Sequence, residues 1–100
     1  MYQSKLVSEQ VDLLCDALVA VENREDAYRL LDDLCTIAEV QALSQRIAVA
    51  KMLRSGATYQ EIVKQTGAST ATISRVNRCL HYGADGYVRT LTKLEDQGGC

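Results

Sequence analysis

Ala71, Ser74, Arg75 and Arg78 fall on one side of a helix at about 100° per residue, opposite Ile73, Val76 and Leu80. Small, hydroxylic and guanidinium side chains together suit a helix lying in the major groove of a duplex. The small residue permits close approach, the hydroxyl reaches a phosphate or a base edge, and arginine pairs with guanine or phosphate. Just upstream, Gln60 and Lys64 are spaced to position a nucleic-acid backbone. Helix starts expected at Thr58 and at Ser69-Thr70 would offer backbone N–H groups to phosphates, helped by the helix dipole. The candidate DNA-binding set is therefore Gln60, Lys64, Ser69, Thr70, Ala71, Ser74, Arg75 and Arg78.

Other chemistries find less support. The single histidine, His81, has no Ser/His/Asp set, paired carboxylates or phosphate loop beside it, which argues against an enzyme. The cysteines Cys15, Cys35, Cys79 and Cys100 form no C-x-x-C pair, so a metal site is not expected. They read as reduced thiols, with Cys15, Cys35 and Cys79 as small buried hydrophobes and Cys100 as a loose terminal thiol. Tyr59, Tyr82 and Tyr87 sit at expected helix ends as partly buried amphipathic side chains. No cofactor is expected.

The elements that must carry the candidate set can be placed from punctuation. Thr58 to Leu80 has the anatomy of a helix-turn-helix: a capping box at Thr58-Tyr59-Gln60-Glu61, a short helix to about Thr66, the turn Gly67-Ala68-Ser69, and a second helix from Thr70 to Leu80 or Tyr82. Ile62, Val63, Ala68, Ile73, Val76 and Leu80 would lock the pair. Thr66 departs from the usual pattern, in which a more apolar residue precedes the turn glycine. Upstream, apolar residues from Leu6 to Val21 predict a first helix over about Ser4–Val21, and Asn23 caps a second one carrying Ala27, Leu30, Leu31 and Leu34. A capping box at Thr36–Glu39 opens a third helix, which Gly56 ends in the left-handed conformation. Gly83 to Gly86 makes a break, and Tyr87–Leu94 a last short helix.

One hundred residues leave room for a single small domain, as domains usually hold about 100 to 150. At 47% apolar and 24% charged the composition is globular, so the chain should fold. No apolar run approaches the roughly 20 residues of a membrane span, and Met1–Lys5 lacks a signal-peptide pattern, which suggests a cytoplasmic protein. The net charge of −2 conceals a segregation. Residues 1–40 carry three cations against nine anions, a balance of −6; residues 41–82 carry six cations against Glu61 alone, a balance of +5; the remainder adds −1. Such a chain presents one face to a polyanion. Six apolar stripes in so short a chain also point to burial against a partner, most economically in an intertwined homodimer. Residues 1–55 would then be dimerisation helices, 58–82 the helix-turn-helix and 86–95 a C-terminal helix. The alternative is a protein–protein interaction module whose helix-turn-helix is only a packing device.

From Leu30 to Leu91 the chain carries Ala42-Leu43-x-x-Arg46, Leu53-Arg54-x-Gly56, Glu61, Gly67-Ala68 and Ala71-Thr72-Ile73-Ser74-Arg75. This stretch resembles the tryptophan repressor superfamily, and the whole chain resembles its shorter YerC/YecD-type branch. The resemblance implies an all-α, interlocked dimer that binds a palindromic operator with half-sites about 34 Å apart and represses transcription. It also implies an effector pocket at Arg46, Arg75, Val76 and Cys79, with two arginines suited to a carboxylate. Val76 stands where the family has a glycine beside the indole, and Cys79 where it has a serine. Tryptophan is therefore not the expected effector, and Arg46 and Arg75 are read first as phosphate ligands or as partners of carboxylates such as Glu61.

Overall fold

The computed structural model describes residues 2–98, which form six α-helices and no strand. These are α1 (Glu9–Ala20), α2 (Arg24–Leu34), α3 (Ile37–Arg54), α4 (Tyr59–Thr66), α5 (Thr70–Tyr82) and α6 (Gly86–Gly98). The fold is all-α, as apolar spacing predicts. Internal contacts divide the chain into two compact units, Met1–Ile37 and Ala38–Cys100.

In the first unit, Ser8 and not Ser4 opens α1. The Ser8 hydroxyl accepts from the Val11 N–H at 3.1 Å, and Glu9 and Asp12 complement the dipole of the first turn. Ser4 instead accepts from the Leu6 N–H at 3.0 Å, a local bond that competes with helix. The expected start was thus one turn too early. Asn23 caps α2 as anticipated, its side-chain oxygen 2.8 Å from the Asp26 nitrogen. Neither α1 nor α2 buries a single residue. Leu14, Leu18 and Leu34 are exposed, as are Leu13 and Val19 off the main stripe. The expectation of buried thiols fails here: Cys15 is exposed and Cys35 only half-buried.

The second unit has a true core. Val49 and Ala50 of α3, Ile62 of α4, Ala68 of the turn, Ile73 and Val76 of α5 and Leu91 of α6 are all buried, with Met52, Leu53, Ala57, Leu80 and Tyr87 packed against them. α3 begins directly after Thr36 and ends at Gly56, whose φ of 87° lies in the left-handed region. The Gly56 and Ala57 N–H groups donate to the Leu53 and Met52 carbonyls there, satisfying the helix end. Directly after Ala57, the Thr58 hydroxyl accepts from the Glu61 N–H at 3.2 Å and the Glu61 carboxylate accepts from the Thr58 N–H at 3.0 Å, closing the capping box.

α6 runs past the expected end at Leu94 to Gly98, and Arg54 explains part of the extension. Its guanidinium donates to the Val88 carbonyl and the Thr92 hydroxyl, each at 3.0 Å, and pairs with Glu95 at 3.3 Å. One cation of the basic segment is thereby spent on holding α6 to α3. Three other expectations change. Val63 is 38% exposed and does not lock the helix pair; Tyr82 is 87% exposed; Cys79 is exposed. Val63 follows Ile62, so the turn of α4 that sends Ile62 inward sends Val63 toward the edge of the contact. Cys100 lies outside the described residues.

Candidate nucleic-acid interface

The candidate interface is built on the turn between α4 and α5. Gly67 ends α4 with φ of 73°, and its N–H donates to the Val63 carbonyl at 2.9 Å. A Cβ there would meet nothing within 4 Å, so the backbone conformation and not space requires glycine. Ala68 then points into the core. Ser69 caps α5, accepting from the Thr72 N–H and donating to the Thr72 hydroxyl, both at 3.1 Å.

α5 has two chemically distinct faces. Ile73 and Val76 are 0% and 2% exposed, whereas Thr70, Ala71, Ser74, Arg75 and Arg78 all face solvent, as do Gln60 and Lys64 on α4. The structure brings the expected set together on one helix pair. From Ile62 through Ala84 the chain carries no acidic residue. Among the described residues, Lys64, Arg75 and Arg78 make no ion pair; the pairs formed are Arg29–Glu25 and Arg54–Glu95. Three free cations beside a helix start form a positive, solvated surface suited to phosphates.

Two expected donors are already engaged. The Ser69 hydroxyl is taken up by its cap, leaving the Thr70 and Ala71 amides as the open groups of the α5 start. At the start of α4, the Thr58 N–H and hydroxyl hold the Glu61 carboxylate and keep its pKa below the ordinary value. That helix end carries its own anion, so a phosphate there would meet like charge. Glu61 forms no ion pair with Arg46 or Arg75 among the described residues. His81 is engaged within its own helix, Nδ1–H donating to the Asn77 carbonyl oxygen at 2.9 Å.

Behind the exposed face, Arg46 and Gln45 of α3 and Thr72, Arg75, Val76 and Cys79 of α5 line a cavity of about 280 Å³. The four residues expected at an effector pocket are therefore neighbours. Val76 belongs to the buried core, and the volume falls just below the usual span of ligand sites, about 300–1,000 Å³. No group of three or more His, Cys, Asp or Glu side chains among the described residues could hold a metal ion, and no described helix is long and apolar enough to cross a membrane.

Two residues that brace the turn carried little or no sequence signal for that contact. The Gln45 amide of α3 donates to the Thr66 carbonyl at 3.1 Å, and the Thr66 hydroxyl donates to the Ile62 carbonyl and accepts from the Ala68 N–H. Thr66 was visible as a departure from an apolar pattern; Gln45, 21 residues away, gave no local signal.

Comparison with known proteins agrees with this architecture. A family model described as Trp repressor protein matches residues 9–95. The uncharacterized YerC protein of Bacillus subtilis strain 168 is 49% identical over 96 residues, covering 96% of this chain and 92% of the relative. A crystal structure of a candidate Trp repressor from Staphylococcus aureus superposes with a TM-score of 0.85 at 51% identity, covering 90% of both chains. A TrpR-like protein from Eubacterium eligens gives the same score and identity, covering 90% of this chain and 93% of that one. With its two-faced α5, its left-handed turn glycine and these matches along most of its length, the chain belongs to the Trp repressor family, a family of DNA-binding regulators and not of enzymes.

Proposed function

We propose that the protein is a sequence-specific transcriptional regulator, a repressor, that binds a palindromic operator as a homodimer through α4, the turn and α5. One observation carries this reading: α5 buries Ile73 and Val76 while exposing Ala71, Ser74, Arg75 and Arg78, with both guanidinium groups free of carboxylates among the described residues. An arginine that is neither paired nor buried on an acid-free helix is suited to phosphate or guanine. Lys64 and Gln60 support the backbone from α4, and the open Thr70 and Ala71 amides add a dipole-assisted phosphate contact. The exposed apolar side chains of α1 and α2 support the homodimer, because apolar stripes without a core to cover them are stabilised by a second surface.

Tryptophan is not required in this reading. Arg46 and Arg75 line a cavity in which Val76 and Cys79 take up volume, so DNA binding is expected without the amino acid. Saturable micromolar binding of tryptophan in calorimetry would overturn that part.

The experiment for the whole is selection of bound duplexes from a random pool, followed by anisotropy titration against salt. A palindrome is expected, with log K falling against log salt by about 0.9 for each phosphate neutralised. Arg75→Ala should weaken binding while leaving the helical circular dichroism intact. Equal affinity for every duplex, or an unaffected Arg75→Ala protein, would remove the assigned face.

A further inference from the structure

Two polar clamps run from α3 to the rest of its unit. Arg54 holds α6, and Gln45 holds the turn of the helix-turn-helix. The second clamp ends at Thr66, the last residue of α4, whose carbonyl is one of those a helix end leaves without an intrahelical donor. Gln45 and Thr66 are both half-buried, so loss of the amide would leave a partly desolvated carbonyl to find another donor. The Thr66 hydroxyl passes the restraint on, donating to the Ile62 carbonyl at 2.7 Å and accepting from the Ala68 N–H at 3.1 Å. The next residue, Gly67, brings no side chain that could pin the turn. Only Ala68, a single methyl group, anchors it to the core. Ile73 and Val76 hold the body of α5 to the core, and the polar bonds that begin at Gln45 brace the turn from which it leaves.

We propose that Gln45 is a positioning residue for DNA recognition: through the Thr66 carbonyl its amide fixes the angle at which α5 presents Ala71, Ser74, Arg75 and Arg78. This rests on the function proposed above. Gln45 lines the cavity beside Arg46 and Arg75 and acts through the turn, without a contact of its own to the duplex. A change there alters the fit of every α5 contact together while subtracting no phosphate contact.

The test compares Gln45→Leu, Gln45→Glu and Gln45→Lys in the full chain, using the selected duplex. Leucine and glutamate cannot donate to the Thr66 carbonyl, whereas the lysine ammonium can. Gln45→Leu and Gln45→Glu are expected to lose affinity by about tenfold. The salt slope of Gln45→Leu should match wild type, because no counterion is released or retained. Gln45→Lys should return most of the affinity. In the free proteins, the Gly67 and Ala68 amides of the first two variants should exchange with solvent faster than in wild type. If Gln45→Leu does not fold, the polar, nearly isosteric Gln45→Glu carries the comparison. Wild-type affinity in Gln45→Leu and Gln45→Glu, with Arg75→Ala still impaired, would overturn the positioning role and leave the DNA reading intact. Failure of the wild-type chain to bind any duplex removes the DNA reading and this proposal with it. Unchanged exchange at Gly67 and Ala68 overturns the proposal independently of DNA.

Discussion

The first two helices and the helix-turn-helix are built from similar material and end in different states. α2 and α5 are both amphipathic, both capped by a short polar side chain, and of nearly equal length. Yet α5 buries Ile73 and Val76, while α2 buries nothing. The difference lies in what each stripe has to cover. α5 meets α4 on one side and α6 on the other, and the core of its unit closes around Ile62 and Leu91. α1 and α2 carry leucines with no comparable closure in their own unit. An amphipathic pattern therefore states that a face seeks cover without stating which surface supplies it.

The largest expected effect tests the closed half. Ile62→Ala removes a fully buried side chain from the α4–α5 contact and should cost about 2–5 kcal/mol, read from urea denaturation, with the helix-turn-helix losing exchange protection. A cost below about 1 kcal/mol would mean that the core is not closed there. The open half should respond differently. On the proposed dimer, Leu18→Asp leaves the fold of the second unit intact and shifts the sedimentation equilibrium toward monomer, abolishing the concentration dependence of Tm. An unchanged equilibrium would mean that this face serves something other than a second copy.

Smaller effects sharpen the contrast between backbone and side-chain control of the turn. Gly67→Ala forces a Cβ into the left-handed region and should destabilise the fold by about 1–2 kcal/mol, although space around it is open. Thr58→Ala removes the hydroxyl of the capping box and should cost about 1 kcal/mol at neutral pH. The pH dependence has a defined sign. The Thr58 N–H, and secondarily its hydroxyl, lower the folded pKa of Glu61. That contribution is fully present above the unfolded carboxylate value of about 4.3 and is lost as pH falls through the lower folded value. In Thr58→Ala the Glu61 pKa should move up toward its ordinary value in an NMR titration. The stability gap to wild type should narrow in acid without vanishing, since the lost bond to the Glu61 N–H does not titrate.

Much of the helix-turn-helix was legible because its signals are local. The capping box at Thr58, the turn at Gly67 and the inward set of Ile62, Ala68, Ile73 and Val76 each follow from residues within a few positions of one another. The start of α1 was missed for a related reason. Ser4 and Ser8 sit one turn apart before the same apolar stripe, and periodicity alone does not choose between two good caps. The buried-thiol expectation fails because cysteine is commonly buried, whereas Cys15 belongs to a helix with no buried residue and Cys79 is an exposed residue lining the cavity.

The amino-acid sequence alone determined the helices, the left-handed turn and the two faces of α5, since capping, glycine conformation and a 3.6-residue period are properties of neighbouring residues. Only the tertiary structure decided that Arg54 is spent on α6 and that Gln45 reaches the carbonyl of Thr66. Such choices depend on which distant polar groups come within hydrogen-bonding reach once the core has closed, and no local pattern encodes that distance.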